Sequence, residues 1–212
     1  MSSKRASRTR NWAERQRKDP YVQKAREGAF RSRAAFKLQQ LDQKERLLRP
    51  GMLVVDLGAA PGSWSQYAVS RVGPTGTIVA VDRLEMKAIP GVHQIVGDFL
   101  DQEISEELHQ ALGERPVDLV ISDLAPNLTG VRTVDQTAME SLVLAAVRFS
   151  QQHLTPNGAL VTKFFEGEQA DSLRRAIETF FITSRVRKPD ASRAKSTESY
   201  IVARRPVSAE GP

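Results

Sequence analysis

Apolar and polar residues alternate along this chain in blocks, some with the period of a strand and others with the period of a helix. Short continuous apolar runs are typical of strands that are buried on both faces. Such runs predict strands over residues 52–56, 77–82, 93–96, 117–123, 159–164, 182–188 and 199–204. Helical spacing predicts helices over residues 31–46, 62–72, 103–112, 133–153 and 169–181, with a break at Pro156-Asn157-Gly158.

The order of these elements predicts an α/β fold. Strands that alternate with helices form a parallel sheet whose two faces are covered by helices. The last two strands have no helix between them, so we expect them to pair as an antiparallel hairpin. The length of 212 residues suits one domain, and no internal repeat is visible. We therefore expect a flexible basic arm over residues 1–20 and a single domain over residues 21–212.

Charge is strongly segregated along the sequence. Residues 1–50 carry 15 basic and 5 acidic residues, residues 51–184 carry 9 and 17, and residues 185–212 carry 7 and 3. Basic ends on an acidic middle indicate that the ends attract a polyanion, so we expect RNA or DNA as a partner. An arginine- and serine-rich N-terminus is also typical of a mitochondrial presequence, but Glu14, Asp19 and the lack of an apolar face argue against one.

The residue types present limit the possible chemistry. The sequence contains no cysteine, which excludes disulfides, thiolate nucleophiles and thiolate metal sites. The three histidines are far apart, and His109 and His153 lie in polar helical stretches where we expect them to be solvated. No metal site is predicted. No apolar stretch approaches the ~20 residues of a membrane span, so we expect a cytoplasmic protein that does not enter a membrane.

A glycine-containing turn predicts a cofactor site. Residues 54–66 form an apolar run that ends in Asp56, a turn with Gly58 and Gly62, and the start of a helix. In open α/β sheets, ligands bind at the carboxyl ends of the strands. The spacing is not that of the dinucleotide fingerprint, and Pro61 lacks an N–H group, which disfavours a pyrophosphate. S-adenosylmethionine has no phosphate and suits this shorter turn.

Four aspartates mark successive strand ends, at Asp56, Asp82, Asp98 and Asp123. Asp82 stands where an acid binds ribose hydroxyls, and Asp98 is placed to accept a hydrogen bond from an adenine amino group. Each residue alone is also typical of a helix cap or a turn, but the set of four indicates a ligand site. Trp64 either contacts the cofactor or packs its helix on the sheet, since tryptophan suits both roles.

Lys163 ends the predicted fifth strand in an apolar context. Burial of an ammonium group costs free energy unless the group is paired, although a lysine at a sheet edge also extends its amine into solvent. The position of Lys163 beside the strand that ends at Asp123 favours a functional role.

Four stretches together resemble one protein family. They are Ser-Arg-Ala-Ala-Phe-Lys-Leu (32–38), the turn region 54–67, Ser-Asp-Leu-Ala-Pro-Asn (122–127) and Arg-Lys-Pro-Asp-Ala-Ser-Arg-Ala-Lys-Ser (187–196), with Glu198 just after them. From about residue 20 to its end, the chain resembles the FtsJ/RrmJ (RlmE) ribosomal RNA 2′-O-ribose methyltransferases. This resemblance implies a Rossmann-like class I methyltransferase fold with a seven-stranded sheet, and S-adenosylmethionine as the cofactor without a metal.

The resemblance also implies the residues of the site. It places a catalytic tetrad at Lys37, Asp123, Lys163 and Glu198, and cofactor contacts at Gly62, Trp64, Asp82, Asp98 and Asp123. For transfer to a ribose hydroxyl, we expect Lys163 to be the base that accepts the proton. A carboxylate at Asp123 favours a charged lysine, which would instead orient the hydroxyl and stabilise the developing alkoxide. Both roles remain open.

Two basic clusters are expected to bind the RNA backbone on either side of the target nucleotide. One consists of Arg31 and Arg33, and the other of Arg187, Lys188, Arg193 and Lys195. The resemblance implies that the substrate is a uridine of the large-subunit (23S) ribosomal RNA within the large ribosomal subunit, without an obligate protein partner. The alternatives are the same chemistry on tRNA or an mRNA cap, a non-catalytic RNA-binding assembly factor, and a nicotinamide-dependent dehydrogenase, which the missing fingerprint disfavours.

Overall fold

Seven strands form one sheet in the described part of the chain. The computed structural model describes residues 19–28, 30–167, 170–193 and 196–207. The strands are β1 (Leu53–Leu57), β2 (Thr77–Asp82), β3 (Val92–Val96), β4 (Val117–Ser122), β5 (Leu154–Phe165), β6 (Phe181–Arg187) and β7 (Glu198–Pro206). Their order is β3-β2-β1-β4-β5-β7-β6, and β7 runs antiparallel to both of its neighbours while the other adjacent pairs are parallel. The predicted α/β fold and its C-terminal antiparallel hairpin are confirmed.

Six helices accompany the sheet in the described residues, two before the first strand and four between later strands. They are α1 (Pro20–Glu27), α2 (Ala34–Glu45), α3 (Ser63–Val72), α4 (Gln102–Leu112), α5 (Arg132–His153) and α6 (Ala170–Glu178). The sequence pattern did not predict α1. The Asp19 side chain caps it by accepting from Tyr21 N at 3.0 Å, and Pro20 occupies the first turn, where an N–H group is not needed. The two final residues of the predicted arm therefore begin a helix, and residues 1–18 lie outside the described residues.

Alternation along the strands divides the core into two layers. In β1, Leu53, Val55 and Leu57 face a cluster that includes buried residues of α4, α5 and α6. Val54 faces the opposite cluster, which includes buried residues of α2 and α3. Successive side chains of a strand point to opposite faces, so a continuous apolar run is needed when both faces are covered.

The start of β5 differs from the sequence prediction. Pro156-Asn157-Gly158 was expected to separate helix from strand, but α5 ends at His153 and β5 begins directly at Leu154. Leu154 pairs with Val117, and the next pair joins Ala159 to Leu119. The residues between Leu154 and Ala159 therefore bulge out of the sheet. Pro156 is tolerated there because a bulge does not need its missing N–H group.

His153 also corrects an expectation. It was predicted to be solvated, but it is half-buried against the ring of Phe149, at 4.5 Å between centroids, and near His109 at 5.5 Å. Burial and the neighbouring His109 lower the pKa of His153. His109 is exposed as expected.

Candidate active site

A cavity of about 480 Å³ opens at the carboxyl ends of the central strands. Its lining includes Gly58 after β1, Asp82 at the end of β2, Asp98 after β3 and Asp123 after β4. Strand order reverses between β1 and β4, since β2 and β3 extend the sheet on one side and β5 on the other. Ligands of open α/β sheets bind at such a switch point, because the two loops diverge there and leave a crevice.

Backbone N–H groups fix two of the cavity aspartates. The two carboxylate oxygens of Asp82 accept from Ala60 N at 2.9 Å and from Leu84 N at 2.8 Å. Asp98 accepts from Leu100 N at 3.0 Å and forms an ion pair of 3.1 Å with Arg83. Each carboxylate oxygen has two lone pairs, so both residues keep acceptor capacity for a ligand in the cavity.

Two glycines shape the turn between β1 and α3, and one of them lets this turn approach the loop that follows β4. A Cβ atom on Gly58, whose φ is +78°, would lie 2.9 Å from Leu124 N. Gly62 caps α3 with a φ of +97°. Residues with a side chain rarely adopt either conformation, so the turn depends on glycine at these positions.

The structure shows Trp64 in a packing role. The side chain is 2% exposed, and its Nε1 donates to Ala34 O at 2.8 Å. Its ring packs against Tyr200, with 5.6 Å between centroids. Gly62 and Trp64 are both buried and lie outside the cavity lining. The indole therefore joins α2 to α3, and cofactor contacts at Gly62 and Trp64 remain predictions.

Asp56 lies beneath the turn rather than in the cavity lining. It is fully buried, and its Oδ2 accepts from Ser65 Oγ at 2.6 Å. Its Oδ1 has no hydrogen-bond partner among the described residues. The pKa of Asp56 is raised from 3.8 to about 7, chiefly by burial; the hydrogen bond from Ser65 opposes this rise, and the charges of Asp123 and Asp82 contribute to it.

The four residues of the implied tetrad come together as two ion pairs. Lys163 Nζ lies 3.1 Å from Asp123 Oδ1 and 2.5 Å from Asp123 O. Lys37 Nζ lies 2.7 Å and 2.9 Å from the two carboxylate oxygens of Glu198. Lys163 is 6% exposed, so the structure pairs this buried ammonium rather than extending it into solvent.

Tyr200 connects these pairs and was not identified from the sequence. Its hydroxyl donates to Asp123 Oδ1 at 2.8 Å and accepts from Lys37 Nζ at 3.3 Å. Burial, followed by the charges of Asp123 and Glu198, raises the pKa of Tyr200 well above its usual value. One signal was available, because residues two apart on a strand share a face and Glu198 is two residues away.

Strand register explains why such distant residues meet. The antiparallel pairing of β5 with β7 sets Lys163 opposite Tyr200 and Phe165 opposite Glu198. Asp123 directly follows β4, the other neighbour of β5. Lys37 lies on α2, which packs on the same sheet face as α3.

The expected RNA-binding residues are largely bound within the protein. Arg31 donates to Pro61 O at 2.9 Å and to Ala88 O at 3.0 Å. Arg33 forms an ion pair with Asp19 and donates to Ala191 O. The first cluster therefore contacts the cofactor turn through Arg31 and the segment between Lys188 and Arg193 through Arg33.

The second basic cluster shows the same pattern. Arg187 Nε lies 2.5 Å from Glu45 Oε1, and Lys188 Nζ donates to Ser196 O at 2.9 Å. Arg193 is exposed and close enough to Arg33 to lower its pKa, although burial of Arg33 is the larger cause. Lys195 lies outside the described residues. RNA contacts by these residues remain predictions.

Comparison with known proteins places this arrangement in a family. The model of the FtsJ-like methyltransferase family matches residues 30–206. The chain belongs to the FtsJ-like methyltransferase family. It is 51% identical over 201 residues to ribosomal RNA large subunit methyltransferase E of Alkalilimnicola ehrlichii, covering 95% of this chain and 96% of that one. The protein of the same name from Dechloromonas aromatica is 48% identical, covering 95% of this chain and 98% of that one.

Solved structures agree on the fold. A ribosomal RNA methyltransferase, described as putative, from Plasmodium falciparum superposes with a TM-score of 0.77 at 28% identity, covering 84% of this chain and all of that one. Fibrillarin of Aeropyrum pernix with bound S-adenosyl-L-methionine has a TM-score of 0.56 at 18% identity, covering 82% of this chain and 75% of that one. The Rossmann-like methyltransferase fold implied by the resemblance is thus confirmed.

The cavity fits S-adenosylmethionine, the methyl donor of this family. Gly58 lines the cavity, and any side chain at this position would collide with Leu124 on the opposite loop. Carboxylates at Asp82 and Asp98 are available as acceptors for hydroxyl and amino groups. In the described residues, no group of three or more histidine, cysteine, aspartate or glutamate side chains is arranged to hold a metal ion. No helix of this part of the chain is long and apolar enough to cross a membrane.

Proposed function

We propose that this chain transfers a methyl group from S-adenosylmethionine to the 2′-hydroxyl of a uridine in large-subunit (23S) ribosomal RNA, within the large subunit. One observation carries the proposal: two lysines and two carboxylates that are far apart in sequence converge beside the cofactor cavity as linked ion pairs. The names of the relatives support ribosomal RNA as the substrate. A cytoplasmic location is the matching prediction, because ribosomal subunits are the proposed substrate.

Lys163 is the residue proposed to act on the ribose hydroxyl. An ammonium group has three N–H donors, and two of those of Lys163 are directed at Asp123 Oδ1 and Asp123 O. The third is available to hold the hydroxyl oxygen and stabilise the charge that develops on it. In the other role considered for Lys163, that of a general base, a neutral amine would take the hydroxyl proton as the hydroxyl oxygen accepts the methyl group.

Asp123 and Lys37 prepare the site for this step. Asp123 lines the cavity and binds Lys163, so it connects the cofactor side of the site to the substrate side. Lys37 and Glu198 form a compact pair with both ends part-buried. We assign this pair to orienting the ribose and its phosphate, because Glu198 and the Tyr200 hydroxyl hold the Lys37 ammonium group in one position. S-adenosylmethionine supplies the methyl group on a sulfonium centre.

The experiment that tests the proposal measures transfer of labelled methyl groups to three substrates. Large ribosomal subunits, small subunits and tRNA are prepared from cells that lack this protein. We expect methylation of the large subunits, at a nucleotide whose neighbouring phosphodiester becomes resistant to alkali, as 2′-O-methylation requires. Methylation confined to tRNA would favour the alternative substrate, and binding to subunits without transfer would favour an assembly factor.

Variants of Lys163 separate the two roles considered for it. Lys163→Ala is expected to lose roughly a hundredfold or more of the rate, the usual contribution of general acid–base catalysis. Lys163→Arg keeps a permanent positive charge but cannot act as a base. An equally low rate for Lys163→Arg supports the base, whereas a rate near that of the unmodified enzyme supports charge stabilisation alone. Arg148→Ala, at an exposed position of α5, is the control.

A further inference from the structure

The Tyr200 hydroxyl bonds to both ion pairs of the site with a fixed polarity. A phenol has one proton, a carboxylate only accepts and an ammonium only donates. The hydroxyl therefore donates to Asp123 Oδ1, at 2.8 Å, and accepts from Lys37 Nζ, at 3.3 Å. The hydrogen bonds run in one direction, from Lys37 through Tyr200 to Asp123.

One carboxylate oxygen receives both donors. Asp123 Oδ1 accepts from Tyr200 and also lies 3.1 Å from Lys163 Nζ. The terminal torsion of an aspartate has a broad energy minimum, so a single contact leaves the carboxylate free to turn. Two donors at one oxygen hold it in one orientation, and that orientation also sets the direction of Lys163.

The phenol itself is held rigidly. Tyr200 is fully buried, its ring packs against Trp64, and the Trp64 indole is anchored by its bond to Ala34 O. Pairing of β5 with β7 sets its backbone directly opposite that of Lys163. Because burial raises the pKa of Tyr200 well above its usual value, the hydroxyl remains an un-ionised donor at any pH near neutrality.

We propose that Tyr200 is a positioning residue: its hydroxyl joins the Lys37–Glu198 and Lys163–Asp123 pairs into one unit and thereby aims Lys163 at the ribose hydroxyl. This inference rests on the proposed function, since it assigns Lys163 to that hydroxyl. This positioning role is distinct from a contribution to stability. The buried ring would stabilise the fold even without its hydroxyl oxygen.

A matched pair of variants tests the oxygen alone. Tyr200→Phe removes the hydroxyl and keeps the ring. The control is Tyr67→Phe, because Tyr67 is also buried and its hydroxyl donates to a buried carboxylate, Asp42 Oδ2, at 2.8 Å, which belongs to neither ion pair of the site. Tyr200→Phe is expected to lower kcat roughly tenfold to a hundredfold, the equivalent of one hydrogen bond to a charged group, with KM for the cofactor unchanged. Tyr67→Phe is expected to leave kcat unchanged.

A second measurement does not depend on the substrate. The side-chain ¹⁵N signals of Lys37 and Lys163 report their surroundings in the enzyme without RNA. We expect both signals to shift in Tyr200→Phe and neither to shift in Tyr67→Phe. Lys37→Met leaves Tyr200 in place. We expect the Lys163 signal to shift in this variant too, because Tyr200 couples the two lysines.

Two results would overturn the inference. The first is a folded Tyr200→Phe enzyme whose kcat is within twofold of the unmodified enzyme. The second is a Lys163 signal that does not move in either Tyr200→Phe or Lys37→Met. If the unmodified enzyme methylates another RNA or none, the proposed function fails, and the lysine signals still decide the role of Tyr200.

Discussion

Asp56→Asn is expected to change how the stability of this protein depends on pH. Asp56 is fully buried beneath the cofactor turn and its Oδ1 has no partner among the described residues. The protonated acid suits this place better than the carboxylate, because an ionised oxygen without water or a donor is costly. Asparagine has the shape of the protonated acid, and its oxygen can still accept from Ser65 Oγ.

The sign and size follow from the pKa of Asp56 in the two states. That pKa is 3.8 in the unfolded chain and about 7 in the folded protein. Well below pH 3.8 the acid is protonated in both states, so it does not change the free energy of unfolding. Between these values the unfolded chain ionises first, and the free energy of unfolding falls by about 1.4 kcal/mol per pH unit. Above pH 7 the loss is complete, at about 4 kcal/mol.

Urea unfolding of the two proteins at pH 5, 7 and 9, without cofactor, measures this difference. We expect the free energy of unfolding of Asp56→Asn to increase relative to that of the unmodified protein as pH rises. Most of this increase is expected to be complete by pH 9. Subtracting the two curves removes the other titrating groups. A difference between the two proteins that is constant from pH 5 to pH 9 would refute the reasoning.

Two further predictions concern Arg31 and Trp64, whose hydrogen bonds lie close to the cofactor turn. Arg31→Ala is expected to raise the dissociation constant for the cofactor several-fold in calorimetry, because its guanidinium holds Pro61 O of the turn. An effect on RNA affinity alone would contradict this and support its predicted role as an RNA contact. Trp64→Phe is expected to cost about 1–2 kcal/mol of stability in urea unfolding, through loss of the buried indole hydrogen bond, with cofactor affinity nearly unchanged. A large loss of cofactor affinity at unchanged stability would contradict the packing role of Trp64.

Local sequence determined the elements and the position of the cofactor turn. Strands buried on both faces require continuous apolar runs, and glycine at positive φ is needed for the turn, so both leave direct marks in the sequence. The predicted strand 77–82 agrees at both ends with β2, and the aspartates at strand ends lie at one edge because parallel strands all finish there. The implied tetrad required resemblance to a family, since nothing local in the sequence relates Lys37 to Glu198.

Tertiary structure decided what these residues contact. Insertion of β7 between β5 and β6 sets Tyr200 opposite Lys163, and pairing between strands distant in sequence is not encoded in either strand alone. Tertiary structure also decided the partners of the charged side chains. Arginines at 31 and 33 have the composition of an RNA-binding surface, but folding brings carbonyl and carboxylate acceptors within reach of their guanidinium groups. The sequence therefore determined which groups this protein possesses, and the fold decided which of them remain available, because hydrogen bonds and ion pairs depend on proximity that only packing creates.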